Sequence, residues 1–204
     1  LLFWLALYAA EAVVLNVAPE VPGDGIDNDK DGFVDEVEGG AAFQLVGSDY
    51  YAEFEDGREV GELLVNADGS ASGGSAVGIP LDKGFGSGQS MLCGTFTTGN
   101  YYLWVRAKAP SKNVIWVNTL PHSIAPLNSN GAVLFNNQPQ PTYEWSAVGA
   151  NINFLTKTNA TARRQISLAG DACLFFTAEP GVVLDQAFLT VDANATPGEV
   201  GAVA

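Results

Sequence analysis

From residue 41 onward the chain alternates between short apolar, β-branched or aromatic runs and clusters of Gly, Asp, Asn, Ser and Pro. Short runs bounded by turn formers predict strands rather than helices. They fall at residues 42–46, 50–55, 60–65, 90–96, 101–107, 114–118, 132–135, 142–147, 152–156, 165–168, 172–178 and 184–191. Two of them, Tyr101-Tyr-Leu-Trp-Val-Arg-Ala107 and Ala172-Cys-Leu-Phe-Phe-Thr-Ala178, are rich in the side chains that suit a pleated, half-buried surface. Turn chemistry separates the runs at Asp68-Gly-Ser70, Gly84-Phe-Gly-Ser-Gly88, Thr98-Gly-Asn100 and Ala169-Gly-Asp171. No amphipathic helical period appears after residue 20, and no long internal repeat is visible. Many strands at regular spacing predict an all-β fold, a jelly-roll β-sandwich over residues 41–204.

The first forty residues have a different texture. Residues 1–10 read LLFWLALYAA, and the apolar run resumes at residues 12–15. That is short of the roughly 20 residues a membrane-spanning helix needs. Leu2, Phe3, Trp4, Leu5, Leu7 and Tyr8 predict instead an assembly arm, residues 1–18, that buries its surface on other subunits. Packing on its own domain, a membrane anchor and a secretory-signal remnant are the alternatives; Ala10-Glu-Ala12 has the small-x-small cleavage pattern. Ala6, Ala9, Ala10 and Ala12 favour a helix over residues 1–12, whereas Val13-Val-Leu15 suits a strand added to a neighbour.

Pro19 and Pro22 force extended backbone and open a linker, residues 19–40. Within it lies GDGIDNDKDGFVDEVE, residues 23–38. With Asp27 at position one, Asp29 and Asp31 fall at three and five, Gly32 at six, Phe33 at seven, Asp35 at nine and Glu38 at twelve. This is the full spacing of an EF-hand calcium loop. Alternate carboxylates converge on one hard cation, Gly32 permits the sharp turn, Phe33 offers its carbonyl, and Glu38 can bind through both oxygens. Without a cation these like charges repel at short range. The flanking prolines and Gly39-Gly40 do not read as EF-hand helices. The loop resembles the solitary calcium loops of bacterial surface proteins and thrombospondin-type repeats, which act as stiff spacers.

Composition narrows the function. The 204 residues carry 9 Lys+Arg against 23 Asp+Glu, a net charge of −14, which argues against nucleic acid or an anionic membrane as partner. Hydrophobic residues make up 47%, enough to build a core. One His and two Cys leave little for a zinc site or a His-based triad. His122 follows Pro121 in a Pro- and Asn-rich stretch and has no evident partner. Gly84-Phe-Gly-Ser-Gly88 lacks the Lys-Ser/Thr of a phosphate loop. No catalysis is predicted. Cys93 and Cys173 lie in strand-like runs, and in an exported protein they predict a disulfide across the sandwich.

Several segments in order carry a family resemblance. They are Tyr51-Ala-Glu-Phe-Glu-Asp-Gly57, residues 65–78 (VNADGSASGGSAVG), residues 99–110 (GNYYLWVRAKAP), Tyr143-Glu-Trp145, Ser167-Leu-Ala-Gly-Asp171 and residues 179–190 (EPGVVLDQAFLT). Over residues 42–192 the chain resembles the calcium-binding jelly-roll carbohydrate-binding modules with a galactose-binding-like fold. The resemblance implies a structural calcium held by Glu53, Glu55 and Asp185. Independently, Glu53 and Glu55 at i and i+2 of a strand point to one face. The family's sugar-contacting Asn two residues before the late Asp is replaced by Val183. Trp116, Tyr143, Trp145 and Phe85 are candidate sugar contacts, since a flat apolar ring suits the C–H face of a pyranose. The expected function is therefore a non-enzymatic extracellular filament or array subunit, assembled with copies of itself through the arm and rigidified by calcium. A cell-surface carbohydrate-binding adhesion module with a polysaccharide partner is the alternative.

Overall fold

Among the described residues the short runs form thirteen strands, every pairing antiparallel. In chain order they are β1 (Gln44–Val46), β2 (Asp49–Glu53), β3 (Arg58–Gly61), β4 (Leu64–Ala67), β5 (Ser75–Gly78), β6 (Gly88–Ala109), β7 (Val114–Asn118), β8 (Ala132–Leu134), β9 (Gln140–Ala147), β10 (Gly149–Ala150), β11 (Ala162–Arg163), β12 (Gln165–Ala178) and β13 (Val183–Thr190). Two 3-10 turns, Phe54–Asp56 and Ser72–Gly74, are the helical pieces among the described residues. The structure is a computed structural model that describes residues 42–84, 86–109, 114–119, 132–134, 140–150 and 162–197. The arm with Leu2, Phe3, Trp4, Leu5, Leu7 and Tyr8 lies outside the described residues, as does the loop with Asp27, Asp29, Asp31, Phe33, Asp35 and Glu38. So do Phe85, His122 and the strand expected at 152–156.

One strand serves both layers of the sandwich. The first half of β6 pairs with β3 and, from Ser90 to Tyr102, with β12; its second half pairs with β13 and β9. Side chains alternate along it, so Leu103, Val105, Ala107 and Ala109 enter the core. There they meet Leu184, Ala187 and Leu189 of β13 and Tyr50 and Ala52 of β2. Tyr102, Trp104, Arg106 and Lys108 take the opposite, outer face. Among the described residues β1 and β4 close the pairing on this flank as edge strands, each bonded to one neighbour.

Three local expectations are corrected. The turn expected at residues 98–100 is a bulge inside β6: between the pairs Leu168↔Gly99 and Gly170↔Phe96, two steps along β12 match three along β6. Tyr50 and Tyr101 hold it, the Tyr50 hydroxyl accepting from the Thr97 N–H at 3.0 Å and the Tyr101 hydroxyl donating to the Thr97 carbonyl at 2.6 Å. The strand expected at 60–65 is two strands, because Gly61 turns the chain at φ 75° where a Cβ would lie 2.2 Å from the Ser87 carbonyl oxygen. The disulfide between Cys93 and Cys173 does form, but the two residues face each other on adjacent strands of one layer, with Cα atoms 4.0 Å apart.

Candidate functional site

Register orders the outer face of β2, β13, β6 and β9 into rungs. One rung runs Glu53, Gln186, Arg106, Trp145; the next runs Tyr51, Phe188, Trp104, Ala147. The second is aromatic: the rings of Tyr51 and Phe188 lie 4.6 Å apart, and Trp145 meets Phe188 edge-on at 6.3 Å. Arg163 lays its guanidinium 4.5 Å over the Trp104 ring and donates to the carbonyl of Ala193. The indole N–H groups of Trp104 and Trp145 are both buried without an acceptor.

Tyr143 shares this face two residues before Trp145. Its ring lies 5.2 Å from the Arg106 guanidinium and 4.7 Å from the Lys108 ammonium, and its hydroxyl donates to Asp68 at 2.9 Å. Burial, reinforced by the Asp68 anion, pushes the Tyr143 hydroxyl above its ordinary pKa. The Lys108 ammonium, with Ser70 and Tyr143 adding hydrogen bonds, holds the Asp68 carboxyl well below the usual range. Trp116, the third candidate sugar contact, sits buried on β7 opposite Thr177 of β12, and β7 does not pair with β9.

An acidic cluster adjoins the polar rung. Glu53 ends β2, and Glu55 follows in the 3-10 turn Phe54–Asp56, so the strand alternation expected to align them stops short of Glu55. A register shift between Leu184 and Gln186 lets consecutive residues Asp185 and Gln186 both turn to this side. Glu53 Oε1 accepts from Gln186 Nε2 at 2.7 Å and from the Ser72 hydroxyl at 2.8 Å. Asp185 Oδ1 accepts the Ser72 N–H at 2.8 Å, and its Oδ2 is ion-paired with Arg106. Burial raises the Glu55 carboxyl to about 7, and Glu53, Asp185 and Asp56 add to the rise. Burial also raises Asp185 to about 6 against the pull of Arg106.

The cluster fits a hard cation. Glu53 Oε2 and Glu55 Oε2 are buried with no donor. Gly73, at φ 63°, keeps the space beside Glu55 open: a Cβ there would lie 2.7 Å from Glu55 Oε1. Carboxylate oxygens in excess of the available positive charge are the donor set of calcium. Asp185 adjoins them, its Oδ1 accepting from Ser72 and its Oδ2 paired with Arg106, and each oxygen keeps a second lone pair. Among the described residues no three metal-ligating side chains meet in a ready-formed cage. Arg106, Ser72, Gln186 and Asp68 were not among the residues expected from sequence. Arg106 was legible from its alternation with Trp104 and Lys108; the bulge that brings Asp185 and Gln186 to one side was not.

No protein-family model matches the sequence, and no curated protein matches it. Solved structures do resemble it. The CsCBM6-3 module of Clostridium stercorarium in complex with cellobiose matches at TM-score 0.50 and 16% identity, over 70% of this chain and 93% of that one. The Podospora anserina GH26-CBM35 β-(1,4)-mannanase matches at TM-score 0.50 and 18% identity, over 76% of this chain and 30% of the enzyme. The isomalto-dextranase of Arthrobacter globiformis T6 complexed with panose matches at TM-score 0.52 and 14% identity, over 72% of this chain and 24% of the enzyme. At these identities the likeness is one of fold: the chain is a jelly-roll β-sandwich of the kind found in carbohydrate-binding modules.

Proposed function

We propose that this chain is a non-catalytic carbohydrate-binding module of an extracellular or cell-surface protein, with calcium as a structural cofactor and polysaccharide as partner. The outer face of β2, β13, β6 and β9 carries the reading. It carries the half-buried rings of Tyr51 and Trp145, both packed against the buried Phe188, and the half-buried ring of Tyr143. Aromatic faces receive the C–H side of a sugar ring. Support comes also from structural neighbours named for cellobiose and panose complexes. The disulfide fits an oxidising compartment, and no helix among the described residues is long and apolar enough to cross a membrane.

Calcium would be held by Glu53, Glu55 and Asp185, where it supplies the positive charge that the buried Glu53 and Glu55 oxygens lack. Glu53 fastens the end of β2 to the Ser72–Gly74 turn through the Ser72 hydroxyl. The loop at residues 27–38 adds a separate calcium site in the linker.

Affinity gel electrophoresis in soluble β-1,4-glucan and β-1,4-mannan tests the sugar reading. The protein is expected to be retarded in at least one of them. Trp145→Ala weakens binding by about tenfold, the loss of one good ring contact, with its thermal melt little changed. Free migration of the parent in every polysaccharide offered rejects the proposal.

A filament subunit is the second reading. It is favoured by the two edge strands, where Leu45, Val46, Leu64 and Val65 are all exposed. Deleting residues 1–15 then abolishes polymers seen by electron microscopy and sedimentation. A truncated protein that still polymerises removes the arm from that account.

A further inference from the structure

Past the end of β13 the chain turns once more, through Asp192, Ala193, Asn194 and Ala195. The Ala195 N–H closes this turn by donating to the Asp192 carbonyl at 3.2 Å. The Asp192 carboxylate accepts the Asn194 N–H at 2.8 Å, and the Asp192 N–H donates to the Thr190 hydroxyl at 3.1 Å. Such a side-chain turn fixes the backbone around Asn194. Arg163 braces it from β11, donating to the carbonyls of Ala193 and Ala195. All of this bonding is to backbone. The side chains of Asn194 and Thr196 are exposed, and neither bonds to another described residue.

Asn194-Ala-Thr196 is the acceptor pattern of N-linked glycosylation, Asn-x-Thr with x other than Pro. Asp192 adds an acidic residue two positions before the Asn, which the stricter bacterial form of that pattern also requires. Asn159-Ala-Thr161 is the second match in the sequence; it has Lys157 in place of the acid and lies outside the described residues.

We propose that Asn194 is a glycosylation site, whose carboxamide nitrogen takes an oligosaccharide from a donor carried on a membrane lipid through a pyrophosphate. In that transfer the nitrogen bonds to the anomeric carbon of the sugar. The bond from that carbon to the phosphate oxygen breaks, the lipid pyrophosphate leaves with the electron pair, and the nitrogen gives up one proton. The disulfide between Cys93 and Cys173 fits the export route on which such donors are used. Pro197 follows Thr196 and offers no backbone N–H for a transferase to grip, so partial occupancy is expected. Arg163, which braces the turn, also lies over Trp104, whereas Tyr143 stands beside Lys108. An attached glycan therefore grows from the rim of the proposed sugar face, at the far end from Tyr143.

The test is mass spectrometry of the full chain recovered from its own cells. Cleavage on the N-terminal side of Asp192 releases a peptide that begins there, and fragmentation locates any added mass. Two forms are expected, one bare and one heavier by whole sugar residues on Asn194. Thr196→Ala leaves the Asn amide in place, and Asn194→Gln moves it by one carbon; both abolish the heavier form. Both side chains are exposed and unbonded, so these variants fold as the parent does. A wholly bare peptide in the parent overturns the inference with no variant needed. So does sugar on Asn159 alone, or added mass on the Asp192 peptide that persists in Thr196→Ala.

Discussion

Opening the bond between Cys93 and Cys173 is expected to lower the stability of the domain by about 4 kcal/mol. The cysteines close a loop of 80 residues, and in the chain-entropy account a loop of that size restricts the unfolded chain by about this amount. The bond ties β6 to β12, whose register extends from Tyr102 to Ser90. Its loss therefore acts on the longest pairing in the fold. Urea denaturation of the parent and of Cys93→Ala with Cys173→Ala measures it. The midpoint falls, and the thermal midpoint drops by roughly 10 °C for a chain of this size. A difference below about 1 kcal/mol would show that the unfolded chain gains little freedom when the bond is absent.

The second large effect concerns Glu59, which the proposed function does not use. It lies on β3 opposite Ser90, a fully buried residue of β6. Ser90 Oγ donates to Glu59 Oε1 at 3.0 Å, and Glu59 Oε2 is buried without a donor. Burial pushes this carboxyl up to about 8, with the Ser90 hydroxyl pulling the other way. The folded protein thus holds a proton that the unfolded chain releases near the ordinary Glu value of about 4.3. Stability is complete below that pH and is lost as pH rises through about 8. Partial exposure of the residue reduces the effect to on the order of 3 kcal/mol. Glu59→Gln keeps the shape and removes the titration. The variant should match the parent at pH 4.5 and exceed it at pH 8.5, in urea melts run with saturating calcium. Parallel pH profiles for the two proteins would refute the assignment.

The β-sandwich was legible because its strands are short, apolar and well punctuated. What escaped the sequence is long-range pairing. Thr98-Gly-Asn100 has good turn chemistry, yet continuous bonding to β12 keeps β6 running through it as a bulge. β5 was missed because Ser75-Ala-Val-Gly78 is four residues flanked by glycine. Only its contacts reveal it: Ala76 and Val77 are fully buried and pair with β4, and Val77 with β13. At the cluster, Glu53, Glu55 and Asp185 were identified by resemblance and by spacing. The partners that decide what each carboxylate does, Ser72, Gln186 and Arg106, come from a tight turn, a bulge and the middle of β6. No local pattern announces that they meet.

The placement of the first and last described strands on either side of β2 has a mechanical consequence. Tyr51 of β2 pairs with Gln44 of β1 on one side and Phe188 of β13 on the other. A pull applied through residues 42 and 197 thus loads the three neighbouring strands β1, β2 and β13 at one flank. The tear cannot run through the whole domain. The 80 residues between the bonded cysteines, about 270 Å of extended chain, are shorted out by a covalent cross-link. Under load the extending domain reaches a fixed stop, and its full contour length is released only after reduction.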